Sequence, residues 1–149
     1  MRVSPICFSL SGRGRLRDGH MARRHADWLA QARRDLKAAR DSLADGNYEW
    51  CAFQAQQAAE KALKALLRFH HREIHGHTLV RLLKQIEDIG PIPADLPAMA
   101  RELDRHYIQP RYPNAFAEGY PGEFYDEETA TRCLRYAEEI LAFVENRIG

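Results

Sequence analysis

The chain reads as an all-α protein, an antiparallel up-and-down bundle of four to five helices, and three observations predict this. Apolar residues recur at spacings of three and four through most of the 149 residues. No segment alternates with the period of two that a half-buried strand needs. Clusters of Gly, Pro, Asp and Asn cut the helical pattern into separate lengths.

From about Ala26, the residues Trp28/Leu29, Ala32, Leu36, Ala39 and Leu43 fall on one helical face. Asp45-Gly46-Asn47 stops this helix: Gly46 suits the left-handed conformation that ends helices, and Asn47 suits the cap of the next. A second helix runs from about Tyr48 to Phe69, with an alanine-rich apolar side that lets neighbours approach closely. Gln54, Gln56 and Gln57 share a stripe with Lys61 and Lys64, which is expected to be solvated. The histidine-rich linker from His70 to His77 contains no Cys or paired acid at ligand spacing, so no metal site is expected there. Leu79, Leu82, Leu83 and Ile86 mark a third helix ended by Gly90-Pro91. Asp95 before Leu96-Pro97 is expected to cap a fourth, reaching about Tyr107, with Leu96, Met99/Ala100, Leu103 and Tyr107 as its buried stripe. Residues 110–124 hold three prolines and two glycines and are expected to form a long loop packed down by aromatics. A last helix opens at Asp126-Glu-Glu128 and carries its stripe to the C-terminus.

One domain suffices for this length. Residues 1–21, glycine-containing and without apolar period, are expected to be a flexible arm, and residues 22–149 the bundle. The segment Pro5 to Leu10 is too short for a secretory h-region. With 45% hydrophobic and 29% charged residues, and no apolar run near the roughly 20 residues of a membrane span, the composition fits a soluble globular protein. Three scattered cysteines indicate neither a disulfide framework nor a zinc site, and fit a reducing cytoplasm. The net charge of +1 conceals polarity: residues 1–40 carry ten Lys/Arg against three Asp/Glu, and residues 118–149 three against eight. Such a basic front can steer phosphates.

Chemistry concentrates in Arg101-Glu-Leu-Asp-Arg105-His106-Tyr107-Ile-Gln-Pro110-Arg111-Tyr112-Pro113. Unpaired arginine is poor core material, and Pro110 forces the helix to stop, so these side chains are expected at a helix end open to a cleft. Arg101 and Arg105 stand four apart on one face, with Glu102 and Asp104 as alternative ion-pair partners. Histidine near neutrality can move protons, and guanidinium forks can hold phosphate. Five steps along a helix rotate a side chain by about 140°, so Arg101 and His106 converge only if the helix unwinds or two copies pair.

The segment Tyr48 to Ala65, containing Gln54-Ala-Gln-Gln57-Ala-Ala-Glu60-Lys61-Ala-Leu-Lys64, followed by His77-Thr-Leu and by Leu103-Asp-Arg-His106-Tyr-Ile-Gln-Pro-Arg111-Tyr-Pro113, resembles the prokaryotic HEPN domain proteins over roughly residues 22–148. The resemblance implies a helical bundle, usually a homodimer, often paired with a small nucleotidyltransferase as toxin and antitoxin. It implies a metal-independent ribonuclease without cofactor, its signature an arginine followed four to six residues later by histidine. Arg101 and His106 satisfy that signature as the catalytic pair, with Arg105, Tyr107, Arg111 and Tyr112 as the residues that hold RNA or a nucleotide. Glu102 follows the arginine where the resemblance implies Asn, Asp or His. That departure favours an alternative, a non-catalytic dimeric module that binds nucleotide or nucleic acid and partners a nucleotidyltransferase.

Overall fold

The structure, a computed structural model, describes residues 13–149, with side chains from Arg24 onward. Among these residues six α-helices follow in order: α1 (Arg13–Ala44), α2 (Tyr48–Phe69), α3 (Leu79–Glu87), α4 (Leu96–Asp104), the single turn α5 (Pro121–Phe124) and α6 (Glu127–Ile148). No strand occurs among the described residues. The all-helical bundle expected from the periodicity is present, with one short helix added in the loop. Residues 13–21 of the expected arm form the first turns of α1, whereas residues 1–12 and Cys7 lie outside the described residues.

Helices α1 and α2 form an antiparallel hairpin, α6 lies along both, and the short pair α3 and α4 closes the remaining side of α2. Gly46 sits at φ +81 in the connecting turn, a conformation that a side chain at this position would strain. The Asn47 side chain makes no cap bond; its backbone N–H instead donates to the Ser42 carbonyl at 2.8 Å. Along α2, Ala52, Ala55, Ala58, Ala59, Ala62 and Ala65 have no exposed surface, so α1 and α6 approach it closely. Leu63, Leu66, Leu67, Ile86, Leu103 and Ile140 fill the wider end. Arg33 to Glu145 at 2.8 Å and Arg40 to Glu138 at 2.9 Å bridge α1 to α6 across solvent.

Three local expectations give way to tertiary packing. Asp95 does not cap α4 with its side chain. Pro97 removes the N–H that such a cap would reach first. Gln56 belongs to the interior at 1% exposure, donating to Glu60 at 3.2 Å and accepting from Gln57 at 2.8 Å. Tyr107, expected in the stripe of α4, is 44% exposed because the helix ends at Asp104 and turns carry the chain on to Arg111.

Candidate functional site

Helix α4 spreads its polar side chains in separate directions. Asp104 turns toward α3, where its carboxylate accepts from the Leu79 N–H at 2.8 Å and the Val80 N–H at 3.2 Å. These are orphan donors of the α3 N-terminus, and Thr78 takes a third from Arg81 at 3.3 Å. Glu102 turns toward α6, accepting from Arg132 Nε at 3.1 Å and Nη2 at 2.8 Å. Both candidate partners for Arg101 and Arg105 are thus occupied elsewhere. Among the described residues neither arginine is paired with a carboxylate, and both are exposed on the outer side of α4.

His106 takes the place in the core that the helical register had assigned to Tyr107. It is 7% exposed, and its Nδ1 stands 2.7 Å from the Tyr125 hydroxyl. Its Nε2 is shielded from solvent, has no hydrogen-bond partner among the described residues, and faces Glu102 Oε2 at 3.9 Å. Partner chemistry selects the tautomer: a carboxylate opposite Nε2 favours an N–H there, which leaves Nδ1 to accept from Tyr125. Burial holds the His106 imidazole below its ordinary pKa, with Arg132 and Arg105 acting the same way and Glu102 opposing. Burial pushes the Glu102 carboxyl up, but the hydrogen bonds and charge of Arg132, aided by His106 and Arg105, bring it below the ordinary value. Tyr125 is raised by burial, so its hydroxyl keeps its proton. The resting arrangement is a neutral imidazole between a phenol and an ion pair.

Beyond the helix, Arg111 donates from Nε to the Tyr107 carbonyl at 2.9 Å. Its guanidinium lies 4.5 Å from the Phe53 ring centre, 4.6 Å from that of Tyr107 and 5.2 Å from that of Tyr112. Trp50 continues the band, edge-on to Phe53 at 6.2 Å. Trp50, Tyr107 and Tyr112 are exposed, so the band presents aromatic faces around one cation.

The sequence-predicted residues are therefore divided. Tyr107, Arg111 and Tyr112 come together, Arg101 and Arg105 share an open face, and His106 lies inward with residues that sequence reasoning had not selected. Those are Tyr125 and Arg132. Tyr125 had a legible signal: it immediately precedes Asp126, whose carboxylate caps α6 by accepting from Thr129 at 2.8 Å, and the residue before a cap often folds inward. Arg132 had none beyond its place beside Cys133 in the stripe of α6. Among the described residues no three His, Cys, Asp or Glu side chains gather to hold a metal ion, and no helix is long and apolar enough to cross a membrane.

A family model described as the HEPN domain matches residues 25–147. A protein of Methanocaldococcus jannaschii named a putative toxin is 29% identical over 128 residues, covering 80% of this chain and 84% of that protein. A crystal structure from Thermus thermophilus superposes with a TM-score of 0.80 at 42% identity, covering 83% of this chain and 98% of that one. An archaeal HEPN homologue gives 0.72 at 41% identity over 84% and 98% of the two chains. A HEPN domain protein from Thermotoga maritima gives 0.67 at 32% identity over 80% and 95%.

Proposed function

The chain belongs to the HEPN domain family, and from that premise we propose that it is a toxin that binds RNA on the α4 face and cleaves it without metal assistance through His106. The observation that carries this reading is the pair Arg101 and Arg105, exposed on one helical face and without carboxylate partners among the described residues. Free guanidinium forks in that spacing suit successive phosphate oxygens. The aromatic band around Arg111 offers faces on which a base would stack.

In the cleavage, the 2′-oxygen loses its proton and attacks the adjacent phosphorus as the bond to the 5′-oxygen breaks. The products are a 2′,3′-cyclic phosphate and a 5′-hydroxyl end. The neutral His106 ring takes the 2′-hydroxyl proton at Nε2, in the tautomer whose Nδ1–H donates to the Tyr125 hydroxyl, and the imidazolium so formed gives a proton to the leaving 5′-oxygen, while Arg101 and Arg105 stabilise the charge on phosphorus. Nε2 meets a substrate only once the Glu102 carboxylate moves aside. Twofold pairing of two chains along α4 would set the arginines of one copy against the histidine of the other. A nucleotidyltransferase antitoxin is the expected second partner.

The buried imidazole and the carboxylate facing it favour a second reading, a dimeric module that binds RNA or nucleotide without cutting it. Cleavage of single-stranded and structured RNA in chelator, with binding followed by anisotropy, separates the two. Loss of cutting with retained binding in His106→Ala is expected for the enzyme. Binding by the wild type without any cutting establishes the second reading, and binding unaffected in Arg101→Gln/Arg105→Gln removes α4 from both. Sedimentation velocity of the same samples tests the dimer.

A further inference from the structure

The residue that places Glu102 lies on another helix. Arg132, in the second turn of α6, donates from Nε at 3.1 Å and from Nη2 at 2.8 Å to a single oxygen, Glu102 Oε2. The same oxygen faces His106 Nε2 at 3.9 Å. Its distance from the ring is therefore set by a guanidinium from thirty residues along the chain. A separation of 3.9 Å is too long for a hydrogen bond, and a shift of about 1 Å would make it one.

The surroundings dictate where that oxygen would go without Arg132. Among the described residues, His106 is the one other group within 4.0 Å of the Glu102 carboxylate that can carry positive charge. The Glu102 side chain is largely buried, and a carboxylate deprived of its partner in such a place is costly. The freed oxygen would close on Nε2, fix a proton there and hold the ring as an imidazolium, which cannot take a proton from a 2′-hydroxyl. Nothing else near the ring acts this way. Burial disfavours its charged form, as do Arg132 and Arg105, and Glu102 alone favours it. The Tyr125 hydroxyl occupies Nδ1, and the buried thiols of Cys51 and Cys133 keep their protons.

We propose that Arg132 is a positioning residue for the cleavage proposed above, on which this role rests: by gripping Oε2 from α6 it keeps the Glu102 carboxylate off Nε2 and leaves His106 free to act as the base. Arg132 has a choice of partner. It borders an open recess of about 660 Å³ that Glu128 also lines, four residues earlier on the same helix. Among the described residues Glu128 has no cation partner, so the guanidinium is committed to Glu102.

The test is the pH titration of the His106 ring in the full chain, followed by NMR and identified by the signal lost in His106→Asn. Arg132→Gln should raise the midpoint by about one pH unit. In a Glu102→Gln background the same change should move it less than half as far, because the arginine acts through the carboxylate. Arg132→Lys keeps the charge without the two-point grip and should give part of the rise, which keeps the test decisive if Arg132→Gln unfolds. Glu128→Gln removes a charge from the start of the same helix and should shift the midpoint by less than about 0.3 unit. Cutting should follow the titration: in Arg132→Gln, kcat/KM should fall about tenfold below both midpoints and stay within about twofold at pH 8. An unmoved or lowered midpoint in Arg132→Gln, an equal rise in the Glu102→Gln background, or a loss of cutting that is the same at every pH would overturn the proposal. The midpoint is read whether or not RNA is cut. A wild-type chain that cuts nothing therefore removes the cleavage reading together with this role, whereas unmoved midpoints in a chain that cuts remove the role alone.

Discussion

Protonating His106 is harder in the folded chain than in the unfolded one, because the ring is buried and two arginines stand near it. A histidine whose folded pKa is depressed contributes stability above its unfolded pKa, about 6.5, and loses that contribution as pH falls through the folded value. The unfolding temperature should therefore drop as pH falls below about 6.5, and His106→Asn should flatten that drop. Glu102 does not confuse the window. Its carboxyl lies below the ordinary value of 4.5, so its share is lost only in stronger acid. Thermal unfolding followed by circular dichroism checks both. The cysteines make a second residue-scale prediction. Burial pushes the Cys51 thiol up to about 11 and the Cys133 thiol up to about 12. In a Cys7→Ser chain, a disulfide reagent at mildly alkaline pH should release no thiolate until denaturant is added.

At the scale of elements, the long helices were legible because one face of each had to be apolar every three or four residues. Cys51 to Leu67 in α2 and Ala130 to Val144 in α6 follow that rule almost without exception. The short α4 was legible in its start and its stripe as far as Leu103, but its end was not. Whether His106 or Tyr107 turns inward depends on Tyr125, nineteen residues on, and Glu102 depends on Arg132, thirty residues on. No local pattern encodes partners at that distance. The same holds for Asp104, which looked like a surface acid and instead secures the first turn of α3. Asp104→Ala leaves two amides without their acceptor and should cost about 1–3 kcal/mol, while Asp104→Asn, which keeps an acceptor, should cost less. Denaturant midpoints of the two variants check the order.

At the scale of the whole molecule, the buried core among the described residues runs from Leu29 to Val144, and the family match spans residues 25–147. A chain begun at Met21 should then unfold within about 3 °C of the full chain, as a thermal melt would read directly. Charge separation along the sequence becomes contact across the bundle: the basic α1 is clasped to the acidic α6 through Arg33 with Glu145 and Arg40 with Glu138. The two poles of the sequence are neighbours in space, which composition alone could not reveal.

The alanine seam of α2 has one more implication. Where methyl groups are the thickest thing between two helices, the separation of the helix axes is set by backbone against backbone, and there is no flexible side chain to absorb an intruding atom. A larger residue at Ala59 would act as a wedge, and the strain would surface at the seam's edges, loosening the clasps to α6 before it reached the wide leucine-filled end. Such a chain tolerates change at its rims and resists it along its spine.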